Sequence, residues 1–134
     1  MSYVKRDTVA ETGLFFLSAQ ETFKDHRFFR DTEERFKLAE LVDNVKQSKN
    51  VVVFLSQGYG KSPYCLVELV TAFQHHLNMI TVIVHKPGLN LFNFEDMHRL
   101  LKSGQVGSLL DETGWNVVKS GGIPNKTWWT LCWR

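Results

Sequence analysis

The sequence lacks most features that mark specialised protein classes. Its two cysteines, Cys65 and Cys132, are too few for a disulfide framework, and neither has a second pair of metal ligands beside it. Its 16 basic and 14 acidic residues give a charge of +2, too balanced for the basic face that nucleic acid or an anionic membrane requires. The longest apolar run has five residues, and residues 1–11 lack a signal-peptide core. These absences predict a cytoplasmic, soluble protein that binds no metal, nucleic acid or membrane.

The length and composition predict how the chain is organised. A chain of 134 residues with 43% hydrophobic content fits one globular domain, and no repeat or linker divides it. We expect residues 1–11 to be loosely held and residues 27–104 to be the best-defined part. The aromatic segment 119–134 forms a divergent tail.

The most informative stretch runs from Val51 to Phe73. Five consecutive apolar residues, VVVFL, predict a strand that is buried on both faces. After a loop of small residues, Ser62 offers an N-cap hydroxyl and Pro63 a preset φ for the first helical position. Apolar residues then recur at helical spacing, and Glu68 lies in the second turn beside that stripe. Ligands tend to bind at the carboxyl end of the strand in such a unit.

Helices and strands alternate around this stretch. The apolar spacing predicts an amphipathic helix at 36–49, and MITVIVH at 79–85 predicts another buried strand. Asn93 can cap a helix that starts at residue 94, and residues 115–118 are predicted as a short strand. The alternation predicts an α/β domain of three layers, in which helices flank a mostly parallel central sheet.

Two apolar segments near the N-terminus have competing interpretations. LFFLSAQ (14–20) and RFFRD (27–31) both read as short strands. A parallel crossover between them would have to fit into residues 20–26, whereas such crossovers need about a dozen residues. Either the two segments pair as an antiparallel hairpin, or residues 13–23 form a helix and the N-terminal part of the sheet is shortened.

The sequence GYGKS after the strand also suggests a phosphate-binding loop. The Walker pattern needs a glycine five residues before Gly60, and the sequence has Leu55 there. Pro63 removes a backbone N–H where such a loop would hold phosphate. These two residues exclude a P-loop nucleotidase.

The segments between Arg27 and His85 form one ordered pattern. A strand ends in Asp31, a polar loop spans 32–37, a helix follows, and a buried strand ends in Leu55 and Ser56. The next motif consists of Ser62, Cys65, Glu68 and Leu69. This order resembles TIR (Toll/interleukin-1 receptor homology) domains, in particular their enzymatic, plant-like and algal branches, with Tyr64 replacing the usual tryptophan. The resemblance implies a flavodoxin-like fold, and the loop at 32–37 corresponds to the family's BB loop.

The resemblance implies a function in intracellular signalling or defence: cleavage of NAD+ at the nicotinamide–ribose bond, with Glu68 as the catalytic carboxylate. This cleavage develops oxocarbenium character on the ribose, which a nearby carboxylate stabilises. Nicotinamide leaves as a neutral molecule, so the reaction needs no general acid, metal or cofactor. The residues that the resemblance places near the substrate are Ser18, Ala19, Asp31, Arg35, Ser62, Tyr64 and Cys65.

Each of these candidates also has a plainer interpretation. The helix dipole favours an acid such as Glu68 near a helix start without any chemistry. Cys65 lies on an apolar stripe and would simply pack there, and Ser62 is explained as a helix cap. Tyr64 could cover the sheet edge, and the cation of Arg35 could be solvated.

A non-catalytic role competes with NAD+ cleavage. Many TIR domains act as interaction modules that self-associate, or bind other TIR domains, through the BB loop and helix faces. A shortened segment before Arg27 would count against catalysis, because the first strand helps to build the substrate cleft. The sequence leaves both functions open.

Overall fold

The sheet is centred on the strand β1 (Asn50–Leu55) in a computed structural model that describes residues 1–30, 37–96, 99, 110 and 112–123. The strand β2 (Asn78–Ile83) runs parallel to it, in a register that pairs Val51 with Met79 and Leu55 with Ile83. The parallel arrangement agrees with the predicted fold class.

The first residues of the chain form the next strand position on the other edge of β1. Ser2 makes a parallel bridge with Val53: its N–H donates to the Val52 carbonyl at 2.8 Å, and its carbonyl accepts from the Phe54 N–H at 2.9 Å. The N–H groups of successive strand residues point to opposite sides, so the Met1 nitrogen faces away from β1. This nitrogen donates to the carbonyl of Phe29 at 2.7 Å. The order across the sheet is therefore 1–3, β1 and β2, and residues 27–30 lie beyond residues 1–3 without forming a strand.

Four helices have both of their ends within the described residues and lie around this sheet. They are α1 (Lys5–Thr22), α2 (Leu38–Lys46), α3 (Pro63–Gln74) and α4 (Glu112–Ser120), and a 3-10 turn (Tyr59–Lys61) precedes α3. On one face of the sheet, Phe15 of α1 packs edge-to-face on Phe54, with ring centroids 5.4 Å apart. On the other face, Val53 shares a core with Val45 of α2 and Cys65 of α3. The two faces give the three predicted layers.

The fourth helix extends the core beyond the second face. Trp115 and Val118 of α4 and the following Ile123 pack with Leu66 and Val67 of α3. Residues 115–118 therefore belong to a helix, and the prediction of a short strand there is wrong. A short apolar run fits a strand and a buried helical turn equally well.

The central predictions are confirmed. The strand at 51–55 is β1, and the helix predicted at 36–49 is α2, with Leu41 and Val45 on its buried side. The Ser62 hydroxyl caps α3 by accepting from the Cys65 N–H at 3.4 Å, and Pro63 occupies the first turn. The Asn93 side chain likewise caps the next helical turn. These elements were predictable because their signals are local.

The N-terminal predictions need correction. LFFLSAQ lies within α1, so the helical alternative is right and the strand interpretation is wrong. RFFRD is not a strand over its described residues 27–30, and Asp31 lies outside the described residues. The expected loose segment at 1–11 instead contributes the bridge at Ser2 and the first turns of α1. Residues 1–3 occupy the position that was assigned to LFFLSAQ, through the single bridge at Ser2.

The strand β2 also differs from its prediction. It was expected to be buried, yet most of its side chains are exposed, including Ile80 and Ile83 at nearly half of their surface (47% and 48%). Of the tail predicted at 119–134, residues 119 and 120 end α4, and residues 124–134 lie outside the described residues.

An ion pair connects α1 to the chain after β2. The Lys86 ammonium lies 3.1 Å from a carboxylate oxygen of Glu11. The pKa of Glu11 is lowered by a hydrogen bond from its own backbone and then by Lys86. The pair contributes stability above the ordinary carboxyl pKa and loses it as the pH falls through the lowered value, though partial exposure keeps its contribution small.

We predict that Gly121→Ala destabilises the domain by about 1–3 kcal/mol, the usual cost of overpacking a core. A Cβ at residue 121 would lie 2.7 Å from both γ-methyl groups of Val67, which is fully buried. Urea denaturation measures the loss, and Ser120→Ala on the exposed neighbour is the control. In a Val67→Ala background, Gly121→Ala should lower the free energy of unfolding by much less. An equal cost in both backgrounds would refute the steric explanation.

Candidate functional site

Residues 1–3 and β1 are parallel neighbours, so their carboxyl ends lie at the same edge of the sheet. From residues 1–3 the chain passes through α1 to residues 27–30, which lie on one side of the first strand position. It then returns through α2 to β1, which lies on the other side of that position. The direction of winding therefore reverses between the first strand position and β1. In open α/β sheets this switch point, at the carboxyl ends of the strands, is the usual ligand site.

Glu68 reaches the first strand position from α3. The Ser2 hydroxyl donates to a carboxylate oxygen of Glu68 at 2.5 Å and lies 2.6 Å from the Tyr59 hydroxyl. Ser2 and Tyr59 are both almost completely buried, and Glu68 is only 6% exposed. The site therefore joins three segments that are distant in sequence: the first strand position, the 3-10 turn and α3.

The Tyr59 phenol is held in its neutral form. Burial raises the pKa of Tyr59 well above its usual value, nearby Cys65 and Glu68 raise it further, and the Ser2 hydrogen bond offsets this only in part. The Tyr59 hydroxyl also lies 3.3 Å from the carbonyl of Cys65, to which it can donate. Tyr59 is therefore a hydroxyl donor within the site.

A second buried carboxylate supports the loop after β1. Asp7, in the first turn of α1, accepts from the Ser56 hydroxyl at 2.7 Å and from the Gly58 N–H at 3.1 Å. It is 8% exposed. A Cβ at Gly58 would lie 2.6 Å from the same carboxylate oxygen, so the close approach of this loop requires glycine. Asp7 fixes the loop that leads to Tyr59.

The predicted site residues on α3 have different environments. Ser62 is the helix cap, which confirms that interpretation of its hydroxyl. Cys65 is buried, and its thiol donates to the Tyr3 carbonyl at 3.3 Å, so it packs α3 against the first strand position. Tyr64 is 49% exposed. Among these residues, the structure brings Cys65 and Glu68 together with the first strand position.

The N-terminal candidates lie elsewhere. Ser18 and Ala19 were predicted to line the substrate because LFFLSAQ was taken as the first strand, and that premise is wrong. They lie in the second half of α1, roughly 15 Å along the helix axis from Thr8. Ser2 and Tyr3 occupy the position that was assigned to them. Asp31 and Arg35 lie outside the described residues.

Three residues of the site were missed at the sequence level, namely Ser2, Asp7 and Tyr59. The segment 1–4 is too short to show alternation, and Asp7 was included in a segment expected to be loose. For Tyr59 a signal existed, because an aromatic residue within the glycine-rich loop SQGYGK suggests an anchor that is packed inside.

Some kinds of site do not occur in the described part of the chain. Over residues 1–30, 37–96, 99, 110 and 112–123, no three His, Cys, Asp or Glu side chains come together as metal ligands would. Over the same residues, no helix combines the length and apolar character needed to cross a bilayer.

The geometry defines a doubly wound α/β domain with a buried carboxylate at its switch point. The family model for the TIR domain matches residues 18–99, which is more than half of the chain. The chain therefore belongs to the TIR domain family. No curated protein and no solved structure matches it. The matched range starts within α1, so the contacts of Ser2 and Asp7 come from the structure alone.

We predict that Asp7→Ala destabilises the domain by about 1–3 kcal/mol, because it leaves the buried Ser56 hydroxyl and the Gly58 N–H without their acceptor. Asp7→Asn keeps one acceptor oxygen and should cost less. Equilibrium unfolding in urea measures both variants. Asp43→Ala, which removes an exposed carboxylate of α2, is the matched control. If Asp7→Ala lowers the free energy of unfolding no more than Asp43→Ala does, Asp7 does not hold the loop.

Proposed function

We propose that this TIR domain cleaves NAD+ at the nicotinamide–ribose bond, with Glu68 as the catalytic carboxylate. The observation that carries the proposal is the burial of Glu68 at the switch point, where the Ser2 hydroxyl donates to its carboxylate. The segment that contains Glu68 also resembles the motif of enzymatic TIR domains, and this resemblance supports the same assignment.

The environment of Glu68 argues against a purely helical role. An acid that only complements the helix dipole gains most at the exposed start of a helix. Glu68 lies instead in the second turn of α3, is nearly buried, and contacts a residue that is 66 positions away in sequence. Burying a carboxylate costs free energy unless it is compensated. A catalytic role gives a reason for placing a carboxylate at this position.

The chemistry requires little besides this carboxylate. As nicotinamide leaves as a neutral molecule, positive charge develops on the ribose, and the Glu68 carboxylate stabilises it. Water then adds to the sugar and releases one proton, which gives ADP-ribose. Because Glu68 is only 6% exposed, the ribose can reach it only if covering groups move on binding. Activity should therefore depend on conditions that open the site, including self-assembly at high protein concentration.

A second candidate function is self-association or binding to other TIR domains. Exposed apolar side chains favour it: Leu14 and Leu17, three residues apart on α1, are 68% and 62% exposed. Residues 31–36, which include most of the predicted BB loop, lie outside the described residues. The surface of α1 is therefore the part of this hypothesis that the structure makes testable.

For catalysis, purified protein at a series of concentrations should release nicotinamide from NAD+, measured by chromatography. Glu68→Gln removes the negative charge at nearly constant volume and should lower the rate by about a hundredfold or more. Glu40→Gln, on the exposed surface of α2, is the matched control. Equal release by the Glu68→Gln variant, or no release by the unaltered protein at any concentration, would refute the proposal.

For association, Leu14→Ser combined with Leu17→Ser should weaken self-association at high concentration, as measured by sedimentation velocity. Both side chains are exposed, so the fold should be retained. Val9→Ser is the control, because Val9 is also exposed on α1 but lies about 110° around the helix from the midpoint between Leu14 and Leu17. Unchanged association of the double variant would exclude this surface of α1.

A further inference from the structure

We propose that Tyr59 and Ser2 are positioning residues, which hold the Glu68 carboxylate through a directed chain of two hydroxyl groups. The distances are 2.6 Å between the Tyr59 and Ser2 hydroxyls and 2.5 Å between the Ser2 hydroxyl and Glu68. The catalytic meaning of this chain rests on the proposed NAD+ cleavage, whereas the chain itself can be measured without any substrate.

The direction of the chain follows from counting protons. Ser2 donates its single hydroxyl proton to a carboxylate oxygen of Glu68. The Ser2 oxygen then accepts the single proton of the Tyr59 hydroxyl at 2.6 Å, a shorter contact than the 3.3 Å from that hydroxyl to the Cys65 carbonyl. Tyr59 can fill this role because its raised pKa keeps the phenol protonated. Donation to Ser2 polarises the Ser2 hydroxyl and strengthens its bond to the carboxylate.

The arrangement also fixes the position of the carboxylate. Ser2 is fixed by its two backbone hydrogen bonds to β1, and Tyr59 is fixed by its nearly complete burial in the core beside Cys65. Both anchors belong to elements other than α3. They therefore set the direction in which the Glu68 side chain leaves its own helix, which the helical backbone alone does not determine.

The titratable groups of this site include Tyr59 of the 3-10 turn and the buried Cys65 of α3. The carboxylate of Asp7 in α1 is occupied by Ser56 and Gly58. Ser56 thus provides a matched comparison for Ser2, since it is another fully buried serine that donates its hydroxyl to a different buried carboxylate.

The test is a pH titration of the Glu68 side-chain carboxyl by carbon NMR, in protein without NAD+. Ser2→Ala should increase the proton affinity of Glu68 about tenfold, because the charged form loses a donor. Tyr59→Phe should increase it by a smaller factor, about twofold, because only the polarisation of Ser2 is lost. Ser2→Thr restores a hydroxyl and should titrate like the unaltered protein, and Ser56→Ala should leave Glu68 unchanged.

The outcomes separate this inference from the proposed function. The proposed chain is overturned if Ser2→Ala leaves the titration of Glu68 unchanged. It is also overturned if Ser56→Ala changes that titration as much as Ser2→Ala does. If Ser2→Ala does not fold, an unchanged titration in Tyr59→Phe overturns it instead. If the titrations change as expected but no NAD+ is cleaved, the chain stands and the proposed function fails. If NAD+ is cleaved, Ser2→Ala should lower kcat more than it changes KM.

Discussion

The pairing of Ser2 with β1 is the contact on which the candidate site depends. Two backbone hydrogen bonds place the first strand position beside β1, and the Ser2 side chain thereby meets Glu68. The same pairing sets where α1 begins, so that Asp7 reaches the loop after β1. It also turns the Met1 nitrogen toward Phe29. A pairing of a few residues thus brings together segments that lie between 28 and 66 positions apart in the sequence.

The middle of the chain was predictable because its signals are local and agree with one another. Ser62 and Pro63 mark the start of α3, and the apolar run at 51–55 marks the only strand that has partners on both edges among the described residues. The motif that contains Glu68 lies directly after these signals. The position of Glu68 on its helix therefore followed from sequence, and so did the general location of a ligand site at the carboxyl end of β1.

The N-terminal part was not predictable for a physical reason. α1 has no consistent apolar stripe, since Leu14 and Leu17 face solvent while the polar Thr8 and Thr12 are buried. A dense apolar segment without helical periodicity resembles a strand. For this reason LFFLSAQ, which belongs to α1, was predicted as the first strand. The true first strand position is too short for a pattern to be visible. The partners of Glu68 could therefore be found only from three-dimensional contacts.

The two buried carboxylates of the site, Asp7 and Glu68, differ in how well a structural role accounts for them. Asp7 accepts hydrogen bonds from the Ser56 hydroxyl and the Gly58 N–H, so a structural task accounts for it. Glu68 lies in the second turn of α3 and does not cap the helix, because that cap is supplied by Ser62. An apolar side chain at residue 68 would avoid the desolvation cost that a carboxylate incurs. A carboxylate at this point is easier to understand as a group that acts on a ligand.

The helix α1 contacts the candidate site and also carries the surface proposed for association. The first turn of α1 holds the loop that leads to Tyr59, and its later turns present Leu14 and Leu17 to solvent. Between these two regions the helix is interrupted at Thr8, whose φ of −136° and ψ of 21° are not helical. A partner bound at Leu14 and Leu17 would therefore act on a segment that is joined to the site through a bend. Because Glu68 is nearly buried, such a displacement is one physical route by which assembly would admit a ribose to the carboxylate.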